Sequence, residues 1–235
     1  MDDINEMFSK ITPEYDLMNH ILSFNFDKSW RSEAAQEAII PRKEYGVLDV
    51  AAGTGDLSIA VSNSAQQKGK NVMIYAYDFN KDMLAIAKEK FRKCGLENIK
   101  IEQGNAFKID HKRSSFDIVI SGFALRSFRY SKSEKNGLQK FISESYRVLR
   151  PNGKVVLLDM AMPDNAFQRA FFNVYSIPMQ IMGSFVDRDT YSWLVRTIKS
   201  FDKKELVSII RSVGFKNIKI RSLSSGIAYL LTAEK

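Results

Sequence analysis

A single cysteine, Cys94, in 235 residues leaves no partner for an internal disulfide and too few thiols for a clustered metal site. Histidine is nearly as scarce. His20 and His111 are the only two, which argues against a histidine-rich metal site, and no metal is expected. No stretch approaches the roughly 18 apolar residues of a membrane span, and the opening Met-Asp-Asp-Ile-Asn-Glu lacks the basic start and apolar run of a secretion signal. A cytoplasmic location is the expectation. No internal repeat or low-complexity linker interrupts the chain. What is present is 45% hydrophobic content, enough to bury one continuous core, and a formal charge of +8 carried by scattered rather than blocked basic residues. That charge suits nucleic acid, anionic lipid or an acidic partner without choosing among them.

Across residues 45–151 short β-branched runs alternate with longer amphipathic stretches, the pattern of βαβ units over a parallel sheet. The spacing predicts strands at 46–50, 72–78, 99–102, 116–122 and 154–159. Helices are predicted at 56–67, at 81–94 with Met83, Leu84, Ala87 and Phe91 on one face, and at 135–149 before Pro151. Asp202-Lys-Lys-Glu205 has capping-box spacing ahead of Leu206, Ile209, Ile210 and Val213, and Gly214 supplies a stop. The last two apolar runs, 217–221 and 227–233, flank Ser224-Ser-Gly226, a turn composition suited to an antiparallel hairpin.

A parallel sheet that ends in such a hairpin resembles the class I S-adenosylmethionine-dependent methyltransferase architecture. That is a Rossmann-like α/β fold of seven mostly parallel strands, distinct from a dinucleotide-binding dehydrogenase. One domain over 1–235 is expected. An N-terminal helical cap over about 1–41 and an insertion over about 163–200, rich in aromatic residues and methionine, are expected to cover the substrate side at the carboxyl edge of the sheet.

A nucleoside ligand needs a tight loop after the first strand, and Asp49-Val-Ala-Ala-Gly53-Thr54-Gly55-Asp56 offers glycines that let the backbone approach it. Thr54 offers a hydroxyl or its backbone amide, and Asp49 or Asp56 an attraction for a cationic amino or sulfonium group. The same segment also reads as an ordinary turn with Asp56 capping the next helix. Asp78, ending the second strand, suits the two ribose hydroxyls of an adenosine. Asn105 suits the adenine amino group, with a backbone amide from Ala106, though Asn105 also reads as a plain turn residue. A dinucleotide would want a third glycine, and Gly53-Thr-Gly55-Asp-Leu-Ser58 has none; Asp56 would also repel a pyrophosphate. A small sulfonium donor, S-adenosylmethionine, fits better.

Three segments then resemble the UbiE/MenG family of quinone-biosynthesis C-methyltransferases over nearly the full chain. Tyr15-Asp-Leu-Met-Asn19, Leu22-Ser23 and Trp30 are similar to its N-terminal motif, with Asp27 where a histidine is common. Gly122-Phe-Ala-Leu-Arg126-Ser127 resembles its Gly-Phe-Gly-Leu-Arg-Asn segment, departing at Ala124 and Ser127. Arg147-Val-Leu-Arg-Pro-Asn-Gly153 and Asp159 resemble the third, with Asn152 for a glycine and Asp159 for a glutamate.

The resemblance implies C-methylation of a polyprenylated hydroquinone such as demethylmenaquinol, with donor binding at Thr54, Asp78, Asn105, Ala106 and Gly122. Arg126 is the candidate catalytic group, placed to stabilise a developing phenolate or to orient a water; an arginine merely paired with a surface acid is the plainer alternative. Tyr15 and Asp16 are candidates to close over donor or ring. Phe167, Phe171, Phe172, Tyr175, Met179 and Met182 lead an apolar group that suits a prenyl tail, or simply a helix core. Peripheral contact with an anionic membrane is expected for a lipid quinol substrate. Nucleic acid is not expected, because Ser121-Gly-Phe-Ala replaces the polar-Pro-Pro-aromatic sequence of base-amino methyltransferases. Another small-molecule acceptor and a non-catalytic donor-binding protein stay open, as do monomer versus homodimer and naphthoquinol versus benzoquinol.

Overall fold

The computed structural model describes residue 23 and residues 25–235, apart from the side chains at 171, 175, 176, 178–188 and 191. Helix α1 (Phe26–Glu37) precedes a regular alternation of β1 (Glu44–Val50), α2 (Asp56–Gln67), β2 (Asn71–Asp78), α3 (Lys81–Lys93) and β3 (Ile99–Gln103). Then come β4 (Phe116–Gly122), a short α4 (Leu125–Arg129), α5 (Gly137–Val148) and β5 (Leu149–Met160). Helix α6 (Ala166–Ser200) spans nearly the whole expected insertion; α7 (Lys203–Val213), β6 (Lys216–Leu223) and β7 (Ala228–Glu234) complete the chain.

The seven strands lie in the order β3-β2-β1-β4-β5-β7-β6. The first five pair in parallel, and β7 runs antiparallel between β5 and β6, as the hairpin composition implies. Because β1 and β4 are neighbours although four elements separate them, the right-handed crossovers place the following helices on opposite faces. One core layer accordingly joins Trp30 and Ala34 of α1, Leu57 and Val61 of α2 and Phe91 of α3 to the sheet. The other joins Leu125 and Phe128 of α4, Phe141 and Ile142 of α5 and Leu206 and Ile210 of α7.

Several ends differ from the sequence reading for local reasons. Strand β5 starts at Leu149 rather than 154, with its pairing to β4 shifted between Phe116 and Ile118. The irregular stretch is pinned by buried Asp117, which accepts from Arg150 Nη1 at 2.6 Å, from Gly46 N at 3.0 Å and from Arg42. At α7, Asp202 Oδ1 caps Lys204 N at 2.7 Å, but Glu205 pairs with Arg129 at 2.9 Å instead of closing a capping box. Asp56 does not cap α2 either: Gly55 is the cap residue, left-handed at φ 86°, and Asp56 is the first helical residue.

The two glycines of the first loop do different work. A Cβ on Gly55 would sit 2.4 Å from the ring of Phe91 on α3, whereas one on Gly53, at φ 55°, would meet nothing within 4 Å. Gly55→Ala is therefore expected to cost about 3 kcal/mol, combining overpacking with a left-handed backbone, and Gly53→Ala only about 1 kcal/mol. Urea unfolding of the two variants measures the difference.

Candidate active site

At the switch in strand order, beyond the carboxyl ends of β1, β2 and β4, a cleft of about 510 Å³ opens to solvent. Its walls come from three connections. Ala51 and Gly53 follow β1, Asp78, Phe79, Asn80 and Met83 run from β2 into α3, and Gly122, Phe123, Ala124, Ser127 and Phe128 follow β4. Two of these residues, Ala51 at φ 58° and Phe123 at φ 61°, hold a left-handed backbone that costs a non-glycine residue of order 1–2 kcal/mol.

Asp78 ties two walls together. Its Oδ2 accepts from Gly53 N at 2.8 Å and its Oδ1 from Asn80 N at 2.8 Å, so both carboxylate oxygens are oriented by backbone amides at the lip of the cleft. Burial pushes its pKa up, and the bonds from Asn80, Gly53 and Phe79 hold it back. The Asn80 side chain in turn caps α3, accepting from Asp82 N at 2.9 Å and Met83 N at 3.1 Å.

Behind the glycine loop the charges are less evenly matched. Asp49 is 1% exposed; Ser58 donates to its Oδ2 at 2.7 Å, while its Oδ1 is buried without a hydrogen-bond partner. Its pKa is pushed up to about 7, chiefly by burial, with Ser58 and then Arg31 acting against the rise and Asp78 adding to it. Asp56 Oδ1 receives Lys90 Nζ at 2.6 Å; its buried Oδ2 makes no hydrogen bond and has only Arg31 Nη2 at 3.9 Å. Lys90 also donates to Thr54 Oγ1 at 3.2 Å, so the Thr54 hydroxyl is engaged with α3. Arg31 lies over the Phe123 ring, 5.1 Å from its centroid, and Trp30 Nε1 donates to Ser224 Oγ at 2.8 Å, which fastens α1 to both the cleft and the hairpin turn.

Of the residues expected from sequence, the structure gathers Gly53, Asp78 and Gly122 in the cleft, with Asp49, Thr54 and Gly55 packed directly behind them. Asn105 and Ala106 are half-buried on the connection after β3 and are not among the cleft-lining residues. Asn105 Oδ1 accepts from Phe107 N at 2.8 Å, the local turn that was its plainer reading. Arg126 is 3% exposed and does not line the cleft: its Nε donates to Asp159 Oδ1 at 2.7 Å and its Nη1 to Thr197 Oγ1 at 3.5 Å. It is paired with an acid, and that acid is deeply buried rather than on the surface. Tyr15 and Asp16 lie outside the described residues.

Sequence reasoning passed over Phe79, Asn80 and Phe128, and took Met83 for core alone. The usable signal was adjacency: Phe79 and Asn80 directly follow Asp78, where the second strand delivers its end to the same crevice. Within the apolar segment of α6, Phe172 is fully buried whereas Phe167 and Ile177 are 83% and 55% exposed, so these three described residues do not share one wall.

The ubiE/COQ5 methyltransferase family profile matches residues 1–235. The chain belongs to that family. It is 34% identical over 229 residues to a demethylmenaquinone methyltransferase of Oceanobacillus iheyensis, covering 96% of this chain and 92% of that one. It is 33% identical over 239 residues to a demethylmenaquinone methyltransferase of Bacteroides fragilis, covering 100% and 93%. Among solved structures, a possible histamine N-methyltransferase of Thermotoga maritima superposes with a TM-score of 0.65 at 16% identity, over 98% of this chain and 99% of that one. A methyltransferase from Aquifex aeolicus, described as dependent on S-adenosylmethionine, gives 0.60 at 18% identity, over 86% and 88%. The fold is the class I methyltransferase fold, and the protein is a methyltransferase that uses S-adenosylmethionine as donor.

The residues present fit that donor. The unpartnered Asp49 Oδ1 is an acceptor for a cationic group, and the open Cα face of Gly53 leaves space beside Asp78. The unpartnered acid also has a cost. A carboxyl whose folded pKa is raised above its unfolded value of about 3.8 loses stability as pH rises from about 4 to about 7, where it must ionise in place. Asp49→Asn is therefore expected to stabilise the free protein by roughly 2–3 kcal/mol more at pH 8 than at pH 5, relative to the parent chain. Urea unfolding at the two pH values checks the sign.

Proposed function

We propose that this chain methylates a ring carbon of a polyprenylated hydroquinone, with demethylmenaquinol converted to menaquinol as the leading case. The observation that carries the reading is the full-length match to demethylmenaquinone methyltransferases, joined to a donor-type cleft that ends on the Gly122–Ser127 segment. Asp78 receives the ribose hydroxyls, and the apolar surfaces of Phe79 and Met83 suit the purine. Asp49 draws the donor's ammonium group, and Gly53 and Gly122 keep side chains out of the way. Thr54 and Gly55 shape the first loop beneath them, while Asn105 and Ala106 stand outside the cleft lining.

When bound, the donor supplies an electrophilic methyl on a positively charged sulfur. The demand on the protein is mainly alignment, because a hydroquinone carbon is already electron-rich and grows more so as its neighbouring hydroxyl, with a reference pKa of about 10, loses its proton. Arg126 favours that phenolate. Its guanidinium carries a fixed positive charge on a residue that stands between the cleft-lining Ala124 and Ser127, and its Nη2 makes no hydrogen bond among the described residues. Tyr15 is a further candidate from the N-terminal cap.

The cap and the long α6 form the acceptor side in this reading. Each prenyl methylene buried there adds about 0.8 kcal/mol, so part of a tail suffices to dominate acceptor binding. Among the described residues no helix is long and apolar enough to cross a membrane. The acceptor is met instead by peripheral contact, aided by the charge of +8.

Incubation with labelled S-adenosylmethionine and reduced demethylnaphthoquinone or demethylbenzoquinone is expected to add one methyl to the quinone by mass. No gain despite demonstrated donor binding would overturn the function. Asp78→Ala is expected to weaken S-adenosylhomocysteine binding in calorimetry by about tenfold or more, the loss of a charge-assisted pair of hydrogen bonds. Equal affinity removes the ribose assignment. On anionic vesicles at low salt the protein is expected to sediment and to be released by salt; full recovery in the low-salt supernatant ends the membrane proposal.

A further inference from the structure

We propose that Asp159, seconded by Thr197 of α6, is the positioning residue for Arg126. The inference rests on the quinol-methylation reading above. The N-cap of helix α4 is Ala124, which has no side chain able to cap it. The end of β5 supplies what is missing: Asp159 Oδ2 accepts from Arg126 N at 3.3 Å, within the first turn. The other oxygen, Oδ1, accepts from Arg126 Nε at 2.7 Å and from Met160 N at 2.7 Å. One carboxylate, 0% exposed, thus orients both the backbone and the guanidinium of a residue that is 3% exposed.

The geometry commits one edge of the guanidinium and leaves another. Nε is held by Asp159 and Nη1 reaches Thr197 Oγ1 at 3.5 Å, while Nη2 has no hydrogen-bond partner among the described residues. Rotation of the guanidinium out of this orientation breaks the bond to Asp159. Thr197 is itself fixed by its bond to Leu194 O at 2.9 Å, so the long helix shares in the setting. Tyr229 stands opposite Asp159 in the strand register, buried, with its hydroxyl unpartnered among the described residues.

A buried ion pair contributes little net stability compared with apolar residues of the same volume. Orientation is the better account of it here, because Arg126 stands in α4 between the cleft-lining Ala124 and Ser127. An unfixed arginine samples many rotamers, and an error of about 1 Å in a group at the reacting centre costs on the order of 100-fold in rate.

The test uses the full chain, S-adenosylmethionine and a short-tailed reduced demethylnaphthoquinone, with single-turnover rates, S-adenosylhomocysteine affinity and thermal melting recorded for each variant. Asp159→Asn is expected to slow methyl transfer by about 100-fold with donor affinity unchanged. Asp159→Glu, which keeps the charge, is expected to recover most of the rate. The double variant Arg126→Gln/Asp159→Asn is expected to be no slower than Arg126→Gln alone, because Asp159 acts through Arg126.

Additive slowing in the double variant, or a normal rate in Asp159→Asn beside a slow Arg126→Gln, overturns the positioning role alone. A normal rate in Arg126→Gln overturns the proposed role of Arg126 itself, and absence of methyl transfer by the parent chain overturns the function. If Asp159→Asn does not fold, Thr197→Val decides: slower transfer at unchanged melting supports the proposal, and unchanged transfer sinks it.

Discussion

The site depends on one topological constraint, the reversal of strand order between β1 and β4. Adjacent parallel strands whose following helices leave to opposite faces cannot close over their own carboxyl ends. The loop after β1 turns toward α2 and the loop after β4 toward α4, and the gap between them is the cleft. Asp78 bridges it to the neighbouring strand by accepting the Gly53 amide. Arg31 and Trp30 hold its α1 side through Phe123.

The electrostatics of the free protein are those of a site waiting for positive charge. Asp49, Asp56 and Asp78 cluster around a loop whose own cations, Lys90 and Arg31, are engaged at its outer side by Asp56 and Asp27. Burial raises the pKa of Asp49 and of Asp78, and Asp49 keeps one oxygen without a partner. On the opposite wall the arrangement is inverted: Arg126 brings positive charge behind the segment after β4, balanced by Asp159. In the proposed function, acid on the donor side and guanidinium on the acceptor side match a transfer in which a cationic sulfur becomes neutral while a phenol oxygen gains negative charge.

The three segments that carried the family resemblance turn out to do different physical work. Trp30 packs and hydrogen-bonds to the hairpin turn, and Asp27, standing where a histidine is common, pairs with Arg31 within α1. Arg147 ties α5 to the chain after β3, donating to Ile109 O and His111 O and pairing with Glu144. Among the described residues of the three, those of the Gly122–Ser127 segment are the ones that line the cleft. A motif can therefore identify a family through residues that hold its scaffold, and says less about which of them touch a ligand.

Strand and helix positions were legible in the sequence because periodicity and turn chemistry are local: the first helix after the glycine loop, the fourth strand and the C-terminal hairpin all appear where their apolar spacing and glycines require. The meeting of Gly53 and Asp78 in one cleft was legible for the same reason, since a strand end followed by a tight loop is a local feature with a known place in a parallel sheet. What only the tertiary structure decided is where side chains go once they leave the backbone. Gly55 proved to be a packing residue because Phe91, 36 positions later, fills the space beside it. Arg126 proved to be buried because Asp159 and Thr197 arrive from a distant strand and helix to hold it. Such contacts depend on distances set by the whole fold, and no spacing along the chain encodes them.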